Sequence, residues 1–337
     1  MPLLGSGIVP SGAVANELTA VTRRSYVPKI VVQIYQATPV ASAALANAQT
    51  ATGGVSSVTV PVQGFPMTTT APTDYAGNFN APGVQTGILE AAFNLKAIIT
   101  PISFLGMEGL VQLNAAVVPL IEARMNDAGN GAADYVATQI WGNGTPQSIN
   151  IDGFPLMTDN TQTYGNISTR IPGQTNDFFA AFNRVVASAL PTRSTVIADI
   201  VFACNFAGGE MPNLGVAGPG TWTALAQNFT GVESYQITPA NSFDTSNLGA
   251  RSLFTALMVA GVPIYMDPKC PEGQFIFLNT RYLSFYIHEA AAFVFTGFAS
   301  TLPNSQLGYI GCLVAVLEFI CAKPKTLAKV TNYQAAT

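Results

Sequence analysis

The chain has 337 residues, of which 9% are Asp, Glu, Lys or Arg and 49% are hydrophobic, and its formal net charge is −4. An ordinary soluble domain carries about 25% charged residues, so a lone monomer with this composition would lack surface charge. Three classes remain: a membrane protein, a secreted β protein of low charge, or a subunit whose surface is covered by copies of itself. The negative net charge gives no general attraction to nucleic acid, so any phosphate contact must be local.

The sequence argues against the first two classes. The best candidate for a membrane helix, "LGYIGCLVAVLEFICA" at 307–322, is shorter than the roughly 20 apolar residues required, and it contains Glu318. The first residues, "MPLLGSGIVPSGAVANE", have no basic region before their apolar part, so a signal peptide is not predicted. We therefore favour a self-assembling subunit.

The cysteines are predicted to be free thiols in a reducing compartment. They form no Cys-x-x-Cys pair, and a chain of this length does not need disulfides for stability. Disulfides and a structural zinc site are the alternatives, but His288 is the only histidine that could complete a zinc site. The residues concerned are Cys204, Cys270, Cys312 and Cys321.

The N-terminal third contains two segments that require partners. Residues 1–20 are small, turn-forming and almost uncharged, which predicts an extended arm that becomes ordered against a neighbour. A strand is predicted at 26–36 and a short helix in "ASAALANAQT" behind it. Between 51 and 92, two strand patterns flank a long stretch rich in Thr, Pro, Gly and Asn, which predicts an extended hairpin; a disordered surface loop is the alternative.

The strongest helical pattern covers 105–141. Apolar residues recur there at spacings of three and four, and Glu108, Gln112 and Glu122 lie away from that stripe. Pro119 is expected to kink or divide the helix, and the glycines at 129 and 131 can interrupt it.

Turn-forming pairs crowd the stretch "DGFPLMTDNTQTYGNISTR" at 152–170. After it we predict a helix capped by Asn176 or Asp177 and ended by Pro191, then a buried strand in "STVIADIVFACN". The alternation of helix and strand continues, and the last eighty residues or so favour long strands. The fold class is α+β with strands of mixed direction.

No motif for catalysis is present. His288 has no Gly-x-Ser-x-Gly partner, and "GGEMPNLGVAGPG" at 208–220 lacks the end of a phosphate-binding loop and is interpreted as a flexible loop. The carboxylate pairs Asp152 with Asp159 and Asp267 with Glu272 have no third ligand near them in sequence. We predict neither an enzyme nor a cofactor or metal site.

Three segments together resemble the major capsid proteins of tailed bacteriophages with the Hong Kong 97-type fold. "NLKAIITPISFLGMEGL" and the helical pattern after it are similar to the strand that leads into that family's long spine helix. The segment 152–170 and its sequel resemble the lead into the axial domain. Residues 249–287 are similar to a run of strand, Gly-x-Pro-aliphatic, Asp, Cys-Pro-x-Gly and Leu-Asn-x-x-Tyr.

The resemblance covers nearly the whole chain and implies the domain organisation. It implies an N-terminal arm, an extended β-hairpin loop, a peripheral domain with the spine helix at about 105–141, and an axial domain. The predicted boundaries are 1–27 for the arm, 51–87 for the loop, 150–283 for the axial domain, and 28–50, 88–149 and 284–337 for the peripheral domain.

The implied function is structural. Such subunits assemble into hexamers and pentamers of an icosahedral head around double-stranded DNA, so the location is the virion and the site of assembly is the host bacterial cytoplasm. The implied partners are further copies of the chain, a scaffolding protein, a portal, in some cases a decoration protein, and packaged DNA held by weak non-specific contact. No cofactor or membrane is implied. An encapsulin-like nanocompartment shell around an enzyme cargo is the alternative.

Two departures from the family pattern bear on maturation. Some members cross-link a Lys of the extended loop to an Asn of a neighbour, but no Lys occurs between Lys29 and Lys96 here, so maturation without covalent cross-links is expected. Some members also begin with a charged, helical scaffolding segment, which the residues before Arg23 do not resemble, and a separate scaffolding protein is therefore expected. The candidate inter-subunit contacts are Arg23, Arg24, Asp152, Tyr164 and Arg170, and Arg170 is predicted to form an inter-subunit ion pair.

Overall fold

The computed structural model describes residues 38–53, 56–64, 87–105, 120–142, 144–146, 148–174, 176–228, 256–297, 299–300 and 308–336. The predictions for the arm, the strand at 26–36, the hairpin tip and Pro119 lie outside these residues.

The described α-helices are α1 (Pro39–Ala46), α2 (Leu120–Gly142), α3 (Phe154–Thr158), α4 (Arg193–Phe206) and α5 (Pro219–Gln227). The described strands are β1 (Gln49–Ala51), β2 (Ser57–Gln63), β3 (Ile88–Asn94), β4 (Lys96–Leu105), β5 (Phe182–Ala189), β6 (Leu214–Ala217), β7 (Leu257–Val259), β8 (Val262–Met266), β9 (Gln274–Leu278), β10 (Leu283–His288), β11 (Val294–Phe295), β12 (Ala299–Ser300), β13 (Gly308–Cys321) and β14 (Ala328–Tyr333). Among these helices, none has both the length and the hydropathy needed to cross a bilayer.

The chain divides into two compact units, and β13 contributes residues to both. The larger unit comprises Gln36–Lys96, Val136–Glu289 and Val316–Thr337. The smaller unit includes Ala97–Tyr135 and Ala290–Ala315. Both units are therefore discontinuous in sequence.

A six-stranded sheet in the order β5-β14-β9-β6-β8-β7 forms the centre of the larger unit. The pairs β5 with β14 and β6 with β8 are parallel, whereas β14 with β9, β6 with β9 and β7 with β8 are antiparallel. The prediction of mixed strand directions is confirmed. Helix α4 packs on this sheet: its Val196, Ile200 and Ala203 belong to one buried hydrophobic cluster with Phe275 and Phe277 of β9.

A second group of strands in the larger unit surrounds an aromatic cluster. β1 runs parallel to β10, and β10 runs antiparallel to the end of β13. Trp141 at the end of α2 packs on Phe154 of α3, with ring centroids 5.1 Å apart, and Phe154 meets Phe319 of β13 at 5.5 Å. Phe285 of β10 completes the cluster against Phe319 at 5.1 Å. Aromatic residues from the middle and the last part of the chain thus share one core.

The predicted hairpin strands are confirmed. β2 and β3 pair antiparallel from Ser57 with Asn94 to Gln63 with Ile88. Their burial alternates along each strand, and they form a sheet of two strands. A two-stranded sheet is marginally stable by itself, so this hairpin depends on contacts with other parts of the protein.

In the smaller unit, the first half of β13 pairs antiparallel with β11 and β12. β4 also pairs with β13. The α2 residue Arg124 donates a hydrogen bond from Nη1 to the carbonyl of Ser103 in β4, at 2.7 Å. The helix predicted at 105–141 is confirmed over its described part, 120–142, and runs without interruption through Gly129 and Gly131; Leu105, however, ends the strand β4.

The two elements predicted at 176–205 were wrong. The predicted helix is a short 3-10 turn at Asp177–Phe179 followed by the strand β5. Exposed Asn183, Val185 and Ala187 alternate with half-buried neighbours, which is the period of a strand, and β14 supplies the hydrogen-bonding partner.

The predicted buried strand at 194–205 is the helix α4 instead. A reciprocal capping box begins it: Thr192 Oγ1 accepts from the Thr195 amide at 3.3 Å, and Thr195 Oγ1 accepts from the Thr192 amide at 3.0 Å. The predicted flexible loop at 208–220 was also wrong, since it contains β6, whose residues are all buried in the middle of the sheet. The prediction of free cysteines is confirmed for all four residues.

Candidate functional site: the segment leading into the six-stranded sheet

Arg170 is completely buried and lies among main-chain carbonyls of the last part of α3 and of the residues after it. Its guanidinium donates to the carbonyls of Met157 at 3.0 Å, Leu156 at 2.9 Å, Asp159 at 2.6 Å and Gln162 at 3.2 Å. Burial lowers the pKa of Arg170 to about 10, so the group remains charged at neutral pH. The prediction of an inter-subunit ion pair was wrong, because its own chain encloses the whole side chain.

Tyr164 is buried beside Arg170 and connects three elements. Its hydroxyl accepts a hydrogen bond from the Cys321 amide of β13 at 2.8 Å. Its ring lies 5.0 Å from that of Phe93 in β3, and the Arg170 guanidinium lies 5.3 Å from the Tyr164 centroid. Burial raises the pKa of Tyr164. The residue is therefore part of the core of the larger unit, which also contradicts its prediction as a subunit contact.

The turn that carries Tyr164 requires glycine. Tyr164 and Ile167 exchange hydrogen bonds of 3.1 and 3.0 Å, and both central residues, Gly165 and Asn166, have positive φ values of 58° and 64°. This is the geometry of a type I′ turn, which favours Gly and Asn. A Cβ atom on Gly165 would lie 2.6 Å from Cζ of Phe93, so the hairpin strand approaches the turn too closely for a side chain.

Asp152 is also buried, with only 9% of its surface exposed. Its main-chain amide is hydrogen-bonded to a residue that the sequence did not suggest as part of the site. The Asp152 amide donates to Oε1 of Glu318 at 2.8 Å, and the Phe319 amide donates to the same oxygen at 3.0 Å. Glu318 is completely buried in β13. Like Arg170 and Tyr164, Asp152 was wrongly predicted to contact another subunit, because its carboxyl group faces the interior of its own chain.

A small polar cavity adjoins Asp152. It has a volume of about 150 Å³ and is lined by residues of the hairpin base and of the Tyr164 turn: Ala92, Phe93, Asn94, Lys96, Asp152, Thr163, Gly165 and Asn166. Lys96 lowers the pKa values of both Asp152 and Glu318 by its positive charge, although burial raises them more. Its lining includes one cationic side chain, Lys96, and one carboxyl group, that of Asp152, and the described lining residues form no set of metal ligands.

Two further carboxylates connect elements of the larger unit. Asp267, at the end of β8, accepts a hydrogen bond from the indole nitrogen of Trp141 at 3.2 Å, and burial raises its pKa to about 6. Asp199 of α4 is paired with Arg184 of β5 and with the hydroxyl of Tyr333 in β14. Within the described part of the chain, no group of three His, Cys, Asp or Glu side chains could hold a metal ion.

Three of these buried residues, Asp152, Tyr164 and Arg170, were predicted as site residues but with the wrong role. Glu318, Lys96 and Phe93 were not predicted to take part in the site. The sequence did contain a signal for Glu318, which is the single charged residue in an otherwise apolar strand pattern. A buried charge at such a position requires an interaction partner, so the residue could have been predicted to take part in a buried polar contact. Arg23 and Arg24 lie outside the described residues, and their predicted role in subunit contacts stays a prediction.

Comparison with solved structures identifies the fold. The capsid chain of cyanophage A-1(L) aligns with a TM-score of 0.67 and 12% identity over 92% of this chain and 97% of that one. The SrpI encapsulin of Synechococcus elongatus aligns with a TM-score of 0.57 and 14% identity over 98% and 99% of the two chains. The capsid chain of the native GTA particle has a TM-score of 0.54 and 13% identity over 92% and 96%.

No protein-family model matches the chain, and no curated protein sequence matches it. The structural alignments nevertheless extend over almost the whole length of both partners. The chain therefore has the mixed helix-and-sheet fold of phage capsid proteins, the Hong Kong 97 type. The fold predicted from the resemblance is confirmed.

Proposed function

We propose that this protein is the major subunit of a phage head. Copies of the chain assemble into hexamers and pentamers of an icosahedral shell that encloses double-stranded DNA. The observation that carries the proposal is the alignment with the cyanophage A-1(L) capsid chain, which leaves only 3% of that chain uncovered. An alignment of this extent supports a shell subunit of the same fold.

The surface of the larger unit supports a role in assembly. Three large apolar residues are each at least 69% exposed: Ile88 on the hairpin, Ile149 before α3, and Val185 on β5. Large apolar side chains of this exposure become stable when a neighbouring molecule covers them. The low charge of the chain has the same explanation, since subunits that cover one another need fewer surface charges for solubility.

A nanocompartment shell around an enzyme cargo is the second candidate. The specific observation in its favour is the alignment with the SrpI encapsulin over 98% of this chain. The two candidates share a fold and differ in what the shell encloses. The higher TM-score of the cyanophage capsid chain favours the phage head.

The finer features of the proposal come from the sequence. The loop at 51–87 contains no lysine, so the shell matures without covalent cross-links of the loop-lysine type. The further partners are a scaffolding protein, the portal, weakly held DNA and, in some shells of this kind, a decoration protein. Assembly takes place in the host bacterial cytoplasm, and the final location is the virion.

The contents of purified particles test the proposal against its alternative. Particles from infected or producing cells are expected to have an absorbance ratio at 260 and 280 nm dominated by nucleic acid, and to release double-stranded DNA on denaturation. A single enriched cargo enzyme in place of DNA would contradict the phage head and favour the nanocompartment. On denaturing electrophoresis the chain is expected at its monomer mass of 35.3 kDa, whereas a ladder of linked subunits would overturn maturation without cross-links.

A further inference from the structure

The carboxyl groups of Asp152 and Glu318 are buried together in the larger unit, and each has an oxygen atom without a partner. Oδ1 of Asp152 and Oε2 of Glu318 are inaccessible to solvent and form no hydrogen bond among the described residues. The other Glu318 oxygen, Oε1, already accepts hydrogen bonds from the amides of Asp152 and Phe319. Unpaired buried carboxylate oxygens are costly, so this arrangement requires an explanation.

One proton removes both defects. A proton on Oε2 of Glu318 turns that oxygen into a donor, and the unpartnered Oδ1 of Asp152 is an acceptor on the residue whose amide already binds Oε1. Oε1 continues to accept from the two amides. Two ionised carboxylates at this position would instead place like charges together in a medium of low dielectric constant, which proteins avoid by retaining a proton.

The groups around the pair do not supply a second full counter-charge. Lys96, at the start of β4, attracts the negative charge of both residues. The phenol of Tyr164, whose pKa burial raises, is a neutral neighbour of the pair, and burial also raises the pKa of the Cys321 thiol further along β13. Tyr286 of β10 pairs with Glu318 across the sheet and is also neutral, and Arg170 is occupied by main-chain carbonyls.

We propose that Asp152 and Glu318 share one proton at neutral pH. The hydrogen bond made by this proton holds the segment leading into the six-stranded sheet against β13, and alkaline conditions remove the proton. The effect of this hydrogen bond is local. Asp152 borders the cavity at the base of the hairpin, where residues 92–96 end β3 and begin β4. Loss of the proton places a second charge beside that cavity and draws water into it. The inference concerns a single chain and holds whether the shell encloses DNA or an enzyme.

The direction of the pH dependence follows from the burial of the pair. Burial raises the pKa of Glu318 to about 8 and that of Asp152 to about 6. Below the ordinary pKa of a glutamate, the folded and unfolded chains both hold the Glu318 proton, and Glu318 contributes no pH dependence. Between that value and about 8, only the folded chain holds it, so the unfolding equilibrium constant increases by up to about tenfold per pH unit.

The replacement Glu318→Gln tests the proposal because the amide imitates the protonated acid. Its oxygen accepts from the same two main-chain amides, and its NH₂ donates to Asp152, at every pH. We expect the full-length variant to be as stable as the wild type at pH 5 and more stable at pH 8.5, by at least tenfold in the unfolding equilibrium constant. Thermal and urea unfolding across this pH range measure the difference, with the wild type in the same assembly state.

The control is Glu289→Gln, which neutralises an exposed glutamate in the turn after β10. This variant is expected to follow the pH profile of the wild type. Identical profiles for Glu318→Gln and the wild type would overturn the proposal. So would a large loss of stability of Glu318→Gln at pH 5, since it would mean that the ionised form of Glu318 stabilises the fold.

Infrared spectroscopy and added cations give independent tests. The wild type at pH 7 is expected to show the stretching band of a buried protonated carboxyl group, and Glu318→Gln is expected to lack it. Addition of CaCl₂ or MgCl₂ should leave the unfolding midpoint of the wild type unchanged relative to NaCl of equal ionic strength. A specific increase that disappears in Glu318→Gln would show that a cation occupies the pair, and would contradict the shared proton.

Discussion

Arg170 shows how one side chain organises an irregular segment. The carbonyls of residues 156, 157, 159 and 162 point inward where α3 ends and no strand follows, and buried carbonyls need donors. A guanidinium offers five N–H groups in a rigid plane, which a lysine cannot reproduce. The segment from 152 to 170 is thus ordered by a charge in its centre, although its composition is that of a solvent-exposed loop.

Replacement of Arg170 by Met should destabilise the protein by about 3–5 kcal/mol, because several buried carbonyls lose their donor at once. Urea denaturation monitored by tyrosine and tryptophan fluorescence measures the change. Arg193→Met is the matched control: this arginine is exposed at the start of α4, and its replacement is expected to change stability by less than about 0.5 kcal/mol. A cost for Arg170→Met below about 1 kcal/mol would show that water or a rearranged main chain replaces the guanidinium.

The buried roles of these residues were only partly accessible from the sequence. Arg170, Tyr164 and Asp152 were selected because they stand out among turn-forming residues, and that part of the prediction located the segment correctly. Their burial depends on the hairpin strand β3 and on β13, which are far away in sequence. Local composition indicates a turn but does not reveal which distant strands cover it.

At the scale of elements, the same substitution is expected to have opposite effects in a turn and in a helix. Gly165→Ala should destabilise the protein by about 2–4 kcal/mol, because φ is positive there and the new methyl group overlaps Phe93. Gly131→Ala should stabilise it by about 0.5–1 kcal/mol, since no described atom lies within 4 Å of the added Cβ and alanine favours the helix α2.

Thermal unfolding of the two glycine variants, compared with the wild type, measures both signs in one experiment. Equal effects would contradict the geometry of the Tyr164 turn. A loss of stability in Gly131→Ala would mean that this face of α2 is closely covered in the assembled protein.

The exchange of helix and strand at 176–205 has a physical cause. In β5, Phe182, Val185 and Val186 also fit a helical spacing, and only the parallel pairing with β14 selects the strand. In α4, the run of β-branched residues favours a strand, whereas the Thr192 capping box and the buried positions Val196, Ile200 and Ala203 follow a helix. Elements with one clear period, such as α2 and the hairpin strands, were predicted correctly. Ambiguous ones depended on tertiary partners.

At the scale of the whole molecule, the proposed role as a shell subunit accounts for both the low charge of the chain and its fold. The order of segments was sufficient to predict a capsid-type fold, although identity to the aligned capsid chain of cyanophage A-1(L) is only 12%. The domain boundaries and the subunit contacts of Arg23 and Arg24 stay predictions.

The central claim is that the chain forms a shell, and electron microscopy of the chain produced alone in bacterial cytoplasm tests it most directly. The gently purified protein is expected to form closed shells, rings or sheets of uniform capsomers in negative stain. Monodisperse monomers at high protein concentration would contradict the account. The low surface charge would then require another explanation.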